Sequence, residues 1–285
     1  MIEHVVNNFR KVYRKKVQVT SNTGLSCKIP FEPLVTVLEK IFGIVLVLLV
    51  WELMPRLELI DPFLLPPFSD VIQSLFTLVS TGEIFKHFSI SISRSVTGFF
   101  IGIGIAIPLG VFMGWYDKLE EVVDPLVQAC RNSSVLALYP VFLLLFGIGE
   151  VSKMAIIIWG TIWPALLNTI SGVKNTDPLL IKAARSMGVS KLTLLYKVIA
   201  PAALPSILTG VRLSAASSIL VLVAAEMIGA NAGLGFMIFY FEERYAVPEM
   251  YAGIITMSLL GVTVNYLLVA LEKRLTGWKE KIVNE

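Results

Sequence analysis

Long apolar runs recur along the chain, each close to the length that crosses a bilayer. A hydrocarbon core ~30 Å thick takes about 20 mainly apolar residues in a helix. Six runs meet that description, roughly Leu34 to Met54, Ser89 to Trp115, Asn132 to Ile148, Ser152 to Val173, Ile207 to Ala230 and Tyr251 to Leu271, the third being the weakest. Backbone polar groups in lipid must be satisfied within their own segment, so these runs are expected to be helices. The expected fold class is all-α: a polytopic membrane protein of about six transmembrane helices. Composition points the same way. Of 285 residues 55% are hydrophobic and 16% charged, with a mean hydropathy of +0.76, whereas a soluble domain carries about a quarter charged residues. Such a chain cannot cover a water-facing surface. That excludes a cytosolic enzyme, a DNA-binding protein and a disordered regulator, and a net charge of only +3 implies no nucleic-acid partner.

Basic residues set the orientation. Most of the 24 Lys and Arg residues fall in the amino-terminal tail (Arg10 to Lys28), the link between the fourth and fifth runs (Lys174 to Lys197), the carboxyl-terminal tail (Lys273 to Lys281) and the link holding Lys118 and Arg131. The opposite side holds Arg56, Lys86, Lys153 and Arg244. Both termini are therefore expected in the cytoplasm. The first run is too long for the apolar part of a secretory signal and lacks a small-residue cleavage site, so it is expected to be retained. The expected organisation is a cytoplasmic tail (1–33), a first transmembrane helix (34–54), an external loop (55–88), a five-helix core (89–271) containing a cytoplasmic loop (174–206), and a cytoplasmic tail (272–285). Within the external loop, Val71, Ile72, Leu75, Phe76, Leu78 and Val79 recur at helical spacing. They predict a short amphipathic helix, lying at the outer interface or packed on the bundle.

Chemistry-bearing residues are few. Cys27 and Cys130, with His4 and His87, offer neither a disulfide framework nor a metal site, and no catalytic constellation occurs in the spans. A P-loop ends in Gly-Lys, and none of the 20 glycines precedes a lysine. Arg94 and Glu226 are charges at similar depth in the second and fifth runs. Because such charges are costly in lipid, they are expected either to pair structurally or to line the substrate path. Pro108, Pro140 and Pro164 each fall within a span, where they either break the helix beside a polar path or kink it for packing. Gly98 and Gly102, and Gly110 and Gly114, have the four-residue spacing that lets helices approach closely, including at a dimer interface.

The most informative segment is the loop NTDPLLIKAARSMGVSKLTLLYKVIAPAALPS. Asp177 is placed to cap a helix with Pro178 at its first position. Leu180, Ala183, Ala184 and Met187 form an apolar stripe, with Lys182, Arg185 and Ser186 opposite. Gly188 supplies a left-handed stop. Ser190 starts a second short helix through Val198, which Pro201 and Pro205 end. Two short helices joined by a glycine elbow suit docking into a groove of another protein, or resting on the bilayer surface.

This loop resembles the cytoplasmic "EAA" loop of ABC importer permease subunits. Ala183-Ala184, Gly188 and Pro201 fall at the family spacing, with Lys182 in place of the glutamate, Val198 of the isoleucine and Ala200 of the leucine. The stretches SISRSVTGFFIGIGIAIPLG, PVFLLLFGIGE, VRLSAASSILVLVAAEMIGANAGLGF and LEKRLTGW are similar to the nitrate, sulfonate, taurine and bicarbonate branch, over roughly Leu64 to Trp278. The resemblance implies a bacterial inner-membrane permease that is not itself an enzyme. It implies no cofactor in this chain and ATP on a separate ATPase subunit, which grips the loop from Asp177 to Pro201, Lys182 and Arg185 included. It further implies an external solute-binding protein, a second permease copy in a homodimer and a small organic anion as solute. A secondary transporter or channel without an ATPase is the alternative; it requires ion-coupling acids or a repeated half, and neither is visible.

Overall fold

The computed structural model describes residues 32–276, with side chains from residue 42 onward. The expected amino-terminal tail, apart from its last two residues, lies outside the described residues, as does the end of the carboxyl-terminal tail. The described residues are helical, with no strand among them. Two units are distinguished, Met1–Met54 and Pro55–Glu285. The first expected span falls in helix α1 (Glu32–Arg56), which runs into the start of the second unit.

In the second unit, the segment after Ser69-Asp70 forms α2 (Phe68–Ser80), with Val71 and Leu78 buried. It packs on α3 and α11, defined below, which decides between the two sequence readings in favour of a helix on the bundle. Helix α3 (Glu83–Trp115) has 33 residues and is long enough to span with several turns to spare. Helices α4 (Asp117–Asn132) and α5 (Val135–Phe146) meet at an angle of 96°. The third expected run is therefore not a straight span; it is the second arm of a bent pair, broken at Ser133 and Ser134. Ser134 caps the new helix by accepting from Ala137 N at 3.4 Å. Then follow α6 (Glu150–Lys174), α7 (Pro178–Ser186), α8 (Lys191–Leu194), a π turn (Leu195–Ile199), α9 (Ala200–Gly229), α10 (Leu234–Glu243) and α11 (Val247–Leu275). Among the described residues, four helices have the length and composition of membrane spans, or five if the bent pair is one span: α3, α6, the run from Lys191 to Gly229, and α11.

Helix α6 is the centre of the bundle, with α3 on one face and α9 on the next. Small residues make this possible. A Cβ on Gly98 would lie 2.5 Å from Ile157 Cγ2, one on Gly110 2.7 Å from Thr169 Cβ, and one on Gly114 2.8 Å from Val173 Cβ. Gly98, Gly102, Gly110 and Gly114 thus face α6 of the same chain, not a dimer interface. Hydroxyls stitch the other seam: Ser214 Oγ donates to Thr161 O at 2.7 Å and Ser217 Oγ to Gly160 O at 2.8 Å. A Gly98→Leu substitution is expected to separate α3 from α6 and lower the thermal midpoint of the purified protein by at least several degrees, because interior packing has no slack for added methylenes. A midpoint equal to wild type would refute this account of the seam.

The three prolines do not break their helices. Helical hydrogen bonding continues through Pro108, Pro140 and Pro164. At Pro164 the physical reason is visible. The missing N–H would have bonded Gly160 O, and Ser217 Oγ supplies that carbonyl with a donor instead.

Candidate functional site

The loop between α6 and α9 is built by its caps. Asp177 accepts from Leu179 N at 2.8 Å, with Pro178 in the first turn of α7. Gly188 has φ +74°, the left-handed stop, which L side chains adopt only with strain. Ser190 then caps α8, accepting from Thr193 N at 3.3 Å. Two details differ from the sequence reading. Pro201 and Pro205 do not end the second helix; α8 continues through the π turn into α9, and the widened turn sits immediately before Pro201, where a proline ring would crowd an ordinary helix. The buried face is also rotated. Ala184 is buried with Leu194, Ile199 and Val173, and Ile181 and Val189 pack against them. Leu179, Leu180 and Met187 are left exposed, Met187 at 75%, together with Leu192 and Tyr196. Ala183, Lys182 and Arg185 share that open surface. The loop is thus anchored by one face on the bundle and presents apolar side chains flanked by basic ones on the other.

At the far end of the bundle the chain brings charges together. Glu226 on α9 is fully buried. It accepts from Ser91 Oγ at 2.7 Å, Arg94 Nη1 at 2.9 Å and Gly235 N at 2.9 Å. Its place beside the first turn of α10 adds the favourable end of that helix dipole. Arg94 on α3 is nearly buried. Besides Glu226 it donates to Ala232 O at 2.5 Å, and its Nε and Nη2 hold both oxygens of Glu150 at 2.7 and 2.6 Å. Lys153 Nζ, also buried, donates to Glu150 Oε1 at 3.0 Å. Two further bonds fasten the segment before α10: Gly233 N to His87 Nδ1 at 3.0 Å and Leu234 N to Ser91 Oγ at 2.7 Å. Helices α3, α6, α9 and α10 are therefore joined at one end by a charge-balanced set of two cations and two carboxylates. Arg94 and Glu226 are brought together. Pro108, Pro140 and Pro164 lie on separate helices and form no common site.

Sequence reading missed Glu150 and Lys153. Their signal was an acid and a lysine three residues apart at the head of an apolar run, next to Gly149. The described residues hold no cluster of His, Cys, Asp or Glu that could bind a metal.

Residues 106–277 match the family described as binding-protein-dependent transport system inner membrane component. The chain belongs to this family. The matched region holds the capped loop and Glu226. Among curated relatives, the putative aliphatic sulfonates transport permease SsuC of Bacillus subtilis is 34% identical, over 82% of this chain and 84% of the relative. The taurine transport system permease TauC of Escherichia coli is also 34% identical, over 82% and 87%. A solved structure of the MetNI methionine ABC transporter in an inward-facing conformation aligns at a TM-score of 0.59 and 18% identity, covering 65% of this chain and 93% of that one. That likeness carries the fold. This inner-membrane component is a permease subunit of an ABC transporter, with an all-helical membrane architecture.

Proposed function

We propose that this permease carries a small organic oxyanion, of the sulfonate or taurine class, inward across the membrane at the expense of ATP hydrolysed on a separate subunit. The observation that carries the coupling part is the loop from Asp177 to Pro201. It is short, capped at both helices and anchored through Ala184, with Leu179, Leu180 and Met187 turned outward. Exposed apolar side chains ringed by Lys182 and Arg185 suit a cleft on a soluble partner, which is where an ATPase would grip. The substrate class is supported by the sulfonate and taurine permeases to which the chain is similar. An external binding protein would deliver the solute, and two copies of the chain would enclose the path. The distribution of basic residues supports a cytoplasmic position for the loop and both termini.

Uptake tests the substrate class. Cells expressing the chain with a cognate ATPase and binding protein are expected to take up labelled taurine saturably, with unlabelled alkanesulfonates competing. Uptake insensitive to every oxyanion but competed by a neutral or cationic solute would overturn the assignment.

A further inference from the structure

Arg94 has two carboxylate partners of unlike character. Glu226 is wholly buried and, besides Arg94, accepts from two further donors, Ser91 Oγ and Gly235 N. It is a fixed counter-ion. Glu150 has a side chain 60% exposed and, among the described residues, is held by Arg94 and Lys153. It is the first residue of α6, after Gly147 at φ +77° and Gly149. The Nε and Nη2 edge of Arg94 that Glu150 occupies is the edge that binds any planar pair of oxygens. Arg94 also lines an open groove with Ser89, Ile90, Ser93 and Glu150. Ser89 and Ser93 are exposed one turn apart on α3, so their hydroxyls border the same space.

The charge balance points further. Arg94 and Lys153 against Glu226 and Glu150 make a neutral set. When Glu150 swings out, the remaining set, Arg94, Lys153 and Glu226, carries one net positive charge on side chains that are themselves almost fully buried. A field of that sign in the groove favours a monoanion.

We propose that this groove is an oxyanion site in which the arriving solute displaces the Glu150 carboxylate from Arg94, Glu150 acting as a resident competitor. The site rests on the oxyanion reading above and names the residues that would first meet the solute at the end opposite the capped loop. Lys153 is the second cation of the site, and Glu226 keeps Arg94 in position throughout. The competitor has a defined thermodynamic effect. An anion binds only the fraction of molecules in which Arg94 has released Glu150, so its apparent affinity is reduced by that fraction.

The test uses the full-length chain in complex with its ATPase in lipid nanodiscs, titrated calorimetrically with methanesulfonate and with nitrate at low ionic strength. Glu150→Gln is expected to tighten both anions by about tenfold or more, as the competing fraction is removed. Glu150→Asp, which shortens the reach to Arg94, is expected to tighten them less. Adding Lys153→Gln to Glu150→Gln is expected to reverse most of the gain, while ethanolamine, a cation, gains nothing from any variant. Anion affinity unchanged in Glu150→Gln would overturn the site. If that variant is not monodisperse, Glu150→Asp decides: tighter binding supports the site, and unchanged binding overturns it. Cellular uptake by the wild type separates this proposal from the reading it rests on. Tightened binding without oxyanion uptake would retain the groove and remove the transport assignment. Oxyanion uptake with flat binding would do the reverse.

Discussion

Gly188→Val is expected to leave the protein in the membrane at normal abundance and to abolish ATP-driven uptake. Gly188 joins α7 to α8 at φ +74°, with open space where a Cβ would go. The obstacle to a side chain there is therefore backbone conformation and not crowding. A β-branched residue in the left-handed region costs on the order of 1–3 kcal/mol. The joint relieves that strain by leaving the left-handed conformation, which re-aims α7 relative to α8. The buried cluster of Ala184 with Leu194 and Ile199 bridges the joint and is disturbed, but the seams of α6 with α3 and α9 do not involve the joint, so the fold survives. The exposed face of Leu179, Leu180 and Met187 is displaced, so docking does not. Membrane abundance, uptake and solute-stimulated ATPase activity of the assembled transporter are the measurements. Wild-type uptake by Gly188→Val would remove the coupling role. Gly188→Ala, with a smaller penalty, is expected to fall between the two.

Glu226→Leu is expected to be the most destabilising single substitution in the bundle, by about 3–5 kcal/mol, the range for deleting one partner of a buried ion pair. Leucine accepts no hydrogen bond. Ser91 Oγ, Arg94 Nη1 and Gly235 N each lose an acceptor in an environment without water. Helix α10 also loses its capping carboxylate, and the remaining Arg94, Lys153 and Glu150 are left with one uncompensated positive charge. Thermal stability in detergent and steady-state abundance in membranes report the loss. Exchanging the two residues, Arg94→Glu with Glu226→Arg, is not expected to rescue. An arginine at 226 cannot accept from Gly235 N, and a glutamate at 94 faces Glu150. Full stability in Glu226→Leu would mean that the network does not hold the helix ends together.

Local chemistry was legible in the sequence, and contacts between distant segments were not. Asp177, Pro178, Gly188 and Ser190 act within a few residues of themselves, so their capping and stopping roles could be read directly and fixed the shape of the loop. The apolar runs gave the helices because lipid leaves a backbone little choice. The α4–α5 bend was not legible, since Asn132, Ser133, Ser134 and Val135 include neither glycine nor proline to mark it. Prolines misled in the opposite direction. At Pro164 a hydroxyl 53 residues further along the chain, Ser217, replaces the lost donor to Gly160 O, and nothing local signals that repair. Glu150 reaches Arg94 from 56 residues away. Periodicity identifies which faces are apolar, but not which polar groups on separate helices will meet.

This polypeptide is expected to move solute only when an ATPase grips its loop. Reconstituting the purified chain with its binding protein into proteoliposomes, with and without the ATPase subunit, tests it most directly. The account predicts accumulation of labelled solute only with the ATPase present and ATP hydrolysed, and none with a non-hydrolysable analogue. Solute movement by the chain alone, in the absence of any ATPase, would contradict it.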